Sequence, residues 1–259
     1  MKHLPKPEIE WRDLLTLSRR QVALNLALSW PWLAGSWWLA AKGHYLWALP
    51  LSFFFYLCAL RQAHDAYHRS LGVGRFGTEV MLYALSSTML CSTHAIRYTH
   101  LQHHRDPLGA SDVEGNWARL AAWQALLWGP LFSIRTQWQG LRHGDGDTRR
   151  RSRHDVWIMA AVWLAAVLWP HPVLVYHVLT MLAANAVVGF FAVWSVHRGC
   201  DPAGVFARTE RRAWLNFATA HLLYHVEHHL FARVPANHLP ELARRLDKQA
   251  PQWAAKRVL

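Results

Sequence analysis

Apolar and polar residues fall into long alternating blocks along this chain. Four apolar stretches, Val22 to Ala40, Tyr45 to Leu60, Val156 to Trp169 and Val173 to Val196, stand between segments rich in Arg, Asp and His. A helix needs about 20 apolar residues to cross roughly 30 Å of hydrocarbon, so each stretch is a candidate span, the third being short. They come in pairs. Ala41 to His44 separate the first two and Pro170 to Pro172 the last two, connections so short that each pair must turn back as a helical hairpin. The pattern predicts an all-α integral membrane protein with four transmembrane helices in two hairpins. Residues 61–155 and 197–259 form its water-facing helical cap, and 1–259 reads as a single domain.

Three segments between the hairpins have patterns of their own. Phe76 to Thr93 is amphipathic and carries Glu79 among several Ser and Thr, which predicts a helix packed on the ends of the spans. Leu120 to Ile134 is apolar but contains Gln124 and is interrupted by Gly129 and Pro130, which predicts an interfacial or re-entrant helix. Gly140 to Arg153, GLRHGDGDTRRRSR, reads as a charged linker.

Composition sharpens the picture. With 53% hydrophobic residues, 16 Trp and 18 His in 259 residues, the chain lacks an ordinary soluble profile. The net charge of +12 fits retention of Lys and Arg on the cytoplasmic side. Of 28 Lys and Arg, only Lys42 lies in a hairpin turn. Both termini and the central segment are therefore expected to be cytoplasmic. Lys2, Lys6, Arg12, Arg19 and Arg20 precede the first apolar run with no small-residue cleavage site, which reads as a retained tail. Trp30, Trp32, Trp37, Trp38 and Trp47 near one turn and Trp169 at the other suggest an aromatic belt. No basic helix with interleaved aromatics stands apart to suggest nucleic-acid binding. Cys58, Cys91 and Cys200 form no CxxC pair and suggest neither a disulfide framework nor a zinc knuckle.

The chemistry lies in three histidine boxes: His64 and His68 in HDAYH, His100, His103 and His104 in HLQHH, and His225, His228 and His229 in HVEHH. Residues three or four apart share a helix face, so each box can present two imidazoles to one point. Eight such rings brought together would lose hydration and repel one another unless they shared a cation. Imidazole suits zinc, copper, iron and nickel alike. One structural or hydrolytic zinc takes only three or four protein ligands, so eight imply two ions, and no HExxH motif points to zinc proteolysis. Two irons with open positions would leave room for dioxygen.

HxxxH, HxxHH and HxxHH distributed around two hairpins resemble the membrane fatty acid desaturase family, over nearly the whole chain. The resemblance implies that the eight box histidines ligate iron, with His197 in AVWSVHRGCD completing the site. His221 stands where many acyl desaturases have Asn and where carotenoid ketolases of the same superfamily have His. One helical turn before His225, it is a candidate tenth ligand or an outer hydrogen-bond donor. Asp65, Glu227, Asp106 and Asp201 are candidates to accept the other ring N–H of a ligand histidine. Salt bridges to Arg69, Arg105 or Arg198 are their alternative. His94, His143, His154 and His238 lack box spacing and read as exposed or locally bonded, and His44, His171 and His177 as lying near the opposite face.

The resemblance further implies a dioxygen-dependent oxidoreductase that desaturates an acyl chain. Carotenoid ketolation or hydroxylation and acyl hydroxylation are the alternatives within the superfamily. No haem-binding donor domain is expected in the chain, so electrons should come from a separate ferredoxin and its reductase, with Arg208, Arg211 and Arg212 either docking it or a lipid head, or only enforcing topology. From another class, a membrane metal transporter or a haem electron-transfer protein would also place His near spans. A transporter, however, wants its ligands at mid-membrane, and the boxes lie beyond the span ends.

Overall fold

The computed structural model describes residues 6–258, so Lys2 lies outside it. The fold is all-α, and no strand forms among the described residues. Its first helices are α1 (Arg19–Ala27), α2 (Trp30–Ala41), α3 (Tyr45–Tyr67), α4 (Arg75–Met89), α5 (Thr93–Arg105), α6 (Ala122–Leu127) and α7 (Gly129–His143). They are followed by α8 (Gly146–Leu168), α9 (Pro172–His197, with a π turn at Phe190–Trp194), α10 (Ala213–Ala218), α11 (His225–Leu230) and α12 (Leu239–Gln249).

Two of these, α3 with 23 residues and α9 with 26, are long and apolar enough to cross a bilayer. At 1.5 Å per residue they measure about 34 and 39 Å. Helix α3 continues past Leu60 to Tyr67 because Ala63, Ala66 and Tyr67 stay buried there as the apolar face goes on. That extension carries the first histidine box.

The other two expected spans differ from the reading of the sequence. The stretch 22–40 is divided between α1 and α2, with Leu28 and Ser29 at the junction. Pro31 lies in the first turn of α2, where its missing N–H is tolerated, whereas one continuous helix would have needed it. The stretch 156–169 is the second half of α8, whose first half is charged. That helix absorbs most of the expected linker 140–153, leaving Gly144 and Asp145 as the turn. Asp145 accepts the Thr148 N–H at 2.7 Å and starts the helix, and Arg is a good helix former once a start is supplied.

The expected amphipathic helix at Phe76–Thr93 is α4, closed by Leu90 in the left-handed region (φ 53°) so that Thr93 opens α5. The segment at Leu120–Ile134 is α6 followed by α7. Its outer face exposes Trp123, Leu127, Leu131, Ile134 and Trp138, an apolar stripe at helical spacing. Helix α7 lies against α9 at Gly129, where any Cβ would overlap the Ala186 carbonyl oxygen.

A second core ties the two ends of the chain together. Ile9 and Leu14 pack with Leu230, Leu242, Leu246 and Trp253, and Arg245 bridges to Asp13 at 2.7 Å. Ala236 N–H reaches Asp65 at the polar end of α3. Both terminal segments therefore sit at the end of the helix array where the boxes lie.

Candidate metal centre

Four separate elements deliver nine imidazoles to one place. His64 lies in the last turn of α3 and His68 caps it, α5 supplies His100, His103 and His104, α9 ends on His197, and α11 supplies His225, His228 and His229. The ring nitrogens form two groups, each with its donor atoms within 4.8 Å of one another. One is His64, His68, His100, His104 and His228, and the other is His103, His197, His225 and His229. The adjacent residues His103 and His104, and likewise His228 and His229, are split between groups, so α5 and α11 each serve both.

In the four-histidine group the Nε2 atoms outline a closed square. Its edges are His103–His197 3.1 Å, His197–His225 2.8 Å, His225–His229 3.2 Å and His229–His103 3.2 Å. In the five-histidine group His68–His100, His100–His104 and His104–His228 are 3.0, 3.2 and 2.9 Å apart, and the His64 ring lies 3.9 Å from that of His228. Two ligands at right angles around an ion with bonds of about 2.1 Å lie about 3.0 Å apart. The inward nitrogens thus have the spacing of donors around one ion in each group.

Hydrogen bonds behind the rings aim them. The Nδ1 of His103 donates to Asp112 Oδ2 at 2.7 Å, that of His100 to Glu114 Oε2 at 3.2 Å, and that of His197 to the Phe206 carbonyl at 2.8 Å. An Nδ1–H held outward leaves the Nε2 lone pair inward. Asp112 is itself fixed by the Leu108 and Gly115 N–H groups, and Glu114 by Thr99. These carboxylates escape a reading based on sequence adjacency. The available signal was Asp-x-Glu within ten residues of the second box, after a Pro-Leu-Gly turn that folds it back.

Charge is strongly disfavoured on most of these rings. Burial, with the neighbouring imidazoles, pushes His104, His225, His228 and His229 well below the usual range. Burial and His100 hold His68 down to about 2. At His103 burial opposes protonation too, but the Asp112 carboxylate outweighs it and raises the ring's basicity. Neutral imidazole is the form that binds metal.

The remaining expected site residues lie elsewhere. His221 belongs to neither group: Ala220 and His221 take positive φ (51° and 67°) and reverse the chain before α11 starts at His225, so the one-turn relation is lost. Asp65 binds Ser70 and the Ala236 N–H, with Arg61 at 3.7 Å, and Glu227 binds Thr209 and Arg211. Asp106 is exposed, and exposed Asp201 accepts the Ala203 N–H. None of the four accepts from a box imidazole among the described residues. Arg211 is committed to Glu227 and Asp247, Arg212 to Glu210, and Arg208 to the Arg198 and Arg257 carbonyls.

Of the other histidines, His44, His143, His154 and His171 are exposed, and His238 binds the Leu14 carbonyl. His177 is buried against Trp37, away from both groups. His94, read as exposed or locally bonded, is the bonded and buried case: it lies between Asp155 (2.9 Å) and Glu79 (3.0 Å) and locks α5 to α8 and α4.

Donors of this kind fit iron, for which neutral nitrogen ligands are suited, and the carboxylates and carbonyl behind them complete the pattern of a metal site rather than a hydrogen-bonded core. A cavity of about 930 Å³ adjoins the centre. It is lined by His64, His100, His103 and His225 and by apolar side chains such as Leu60, Ile96 and Val193. No curated protein matches the chain. Residues 58–257, which contain all nine clustered histidines, match the family described as Fatty acid desaturase, and the chain therefore belongs to the fatty acid desaturase family.

Proposed function

We propose that this protein is a membrane-bound di-iron oxidoreductase that desaturates an acyl chain with dioxygen and externally supplied electrons. The observation that carries the proposal is the meeting of two imidazole groups with one long apolar cavity. Five histidines (64, 68, 100, 104 and 228) would hold one iron and four (103, 197, 225 and 229) the other. Bound there, the irons would supply the reduction of dioxygen and the oxidising power to break an unactivated C–H bond.

The chain's own residues do the rest. Asp112, Glu114 and the Phe206 carbonyl hold the protons at the outer Nδ1 atoms of His103, His100 and His197, keeping these rings oriented. The cavity wall follows α3 from Leu49 to His64, about 22 Å of helix, a shape for a long thin substrate. Apolar lining excludes water and sets one stretch of chain against the histidines.

The arrangement in the bilayer is part of the proposal. Helices α3 and α9 cross it, and α2 with the apolar half of α8 completes two hairpins. The boxes and both termini face the cytoplasm, as the single Lys in the hairpin turns supports. A separate reductant such as ferredoxin with its reductase delivers electrons. Lipid mass spectrometry of a host expressing the chain tests the reading against His64→Ala and His228→Ala. New unsaturated acyl chains that vanish in both variants are expected. Products unchanged by the substitutions would remove the assignment, and oxygenated carotene in a carotene-fed host would replace desaturation by ketolation or hydroxylation.

A further inference from the structure

We propose that a groove beside α7 binds the phosphate of a bilayer lipid, so that the acyl chain reaches the metal centre while still attached to a membrane phospholipid. This rests on the oxidative, membrane-embedded reading above and names the carrier it leaves open. The groove encloses about 500 Å³ and is lined by Arg135, Asn116, Gln139 and the tryptophans 117, 128 and 138 among others.

Arg135 is exposed and has no acceptor among the described residues. Arg97, Arg151, Arg211, Arg212 and Arg245 each face a carboxylate, whereas Arg135, like the exposed Arg142 on the same helix, faces none among the described residues and is distinguished by the groove it lines. The side chains of Asn116 and Gln139 and the indole N–H groups of Trp128 and Trp138 likewise have no partner among the described residues. A guanidinium with neutral donors around it suits a phosphate diester, which offers acceptors and one negative charge.

The surroundings favour a lipid over a water-soluble ester. The groove opens beside Leu131 (46% exposed), Ile134 (62%) and Trp138 (59%), whose apolar surface at helical spacing needs a hydrocarbon neighbour. Tryptophan at such a level is typical of the headgroup layer. The groove is also a neighbour of the reaction cavity. Trp117 lines the first and Phe132 the second, with their rings 5.2 Å apart, so one aromatic layer separates headgroup space from acyl space.

Native mass spectrometry of the purified full chain in detergent, with added phosphatidylglycerol or a diacylglycerol bearing the same acyl chains, tests this. The wild type is expected to retain the phospholipid about tenfold more strongly, the worth of one charge-assisted contact. Arg135→Gln should lose that preference and Arg135→Lys keep part of it. Arg142→Gln, an exposed site on the same helix outside the groove, should retain it in full. Equal retention by Arg135→Gln and wild type, equal retention of the two lipids, or displacement of phosphatidylglycerol by inorganic phosphate at the same concentration would each overturn the assignment. Iron content and oxidised products in the same samples separate the two readings. Intact oxidation with no dependence of retention on Arg135 removes the headgroup site alone, whereas Arg135-dependent retention without any lipid oxidation keeps the site and removes the oxidation.

Discussion

Replacing Asp112 by Asn should weaken one metal site and spare the other. Asp112 Oδ2 accepts from His103 Nδ1 at 2.7 Å and Leu108 N at 2.8 Å, and Oδ1 accepts from Gly115 N at 2.9 Å. An amide has one oxygen for these three donors. Turned so that the oxygen keeps His103 and Leu108, it sets its NH2 against the Gly115 N–H, and one buried donor is orphaned at a cost of about 1–3 kcal/mol. The bond that remains to His103 loses its charge assistance, roughly half its strength, and the ring loses the carboxylate that raises its basicity. Loss of such a supporting partner lowers metal affinity about 10- to 100-fold, or about 1.4–2.8 kcal/mol at the site of His103, His197, His225 and His229. Metal retained after equilibration with graded chelator, measured by plasma mass spectrometry, reads this directly. One ion should leave Asp112→Asn at 10- to 100-fold lower chelator than in wild type, with the second ion unmoved. Loss of both ions together, or of neither over that range, would refute the assignment of Asp112 to one site.

Glu114→Gln should do the converse, loosening the five-histidine site through His100 and leaving the four-histidine site loaded in the same titration. Metal-free protein should lose stability as pH falls below about 6.5. His68, His104, His225, His228 and His229 have depressed values in the fold, so only the unfolded chain takes up their protons there, at about 1.4 kcal/mol per pH unit each. Thermal unfolding in detergent between pH 7.5 and 5.5 checks it, and a flat midpoint would contradict it. Gly129→Ala forces α7 off α9 at the Ala186 carbonyl and should destabilise by about 1–3 kcal/mol, with a lower unfolding midpoint at unchanged metal content. Ala184→Trp fills the cavity wall about 20 Å along α9 from His197 and should block long acyl chains, abolishing lipid products while both ions remain bound.

Much of the candidate metal centre was legible because residue type and spacing encode it. Imidazoles at i, i+3 and i+4 face one way on α5 and α11, and the pattern survives whatever the loops do. Hydropathy likewise reveals α3 and α9. Adjacency in sequence misled at Asp65 and Glu227, since neighbours on a helix point about 100° apart. Asp65 therefore turns from His64 toward Ser70 and Ala236, and Glu227 turns from His228 toward Thr209 and Arg211. The true partners Asp112 and Glu114 depend on a loop folding back onto α5, a long-range event that no local period announces. The break at Leu28 and Ser29 had a local sign in Pro31, but apolar composition outweighed it in the reading of 22–40 as one span.

Metal analysis of the purified chain reads most directly whether two oxygen-activating irons share the nine histidines. Close to two irons per chain is predicted, without haem absorption, falling when His104 or His225 is replaced by Ala. Zinc, copper or haem in place of iron, or two irons retained by both variants, would contradict it.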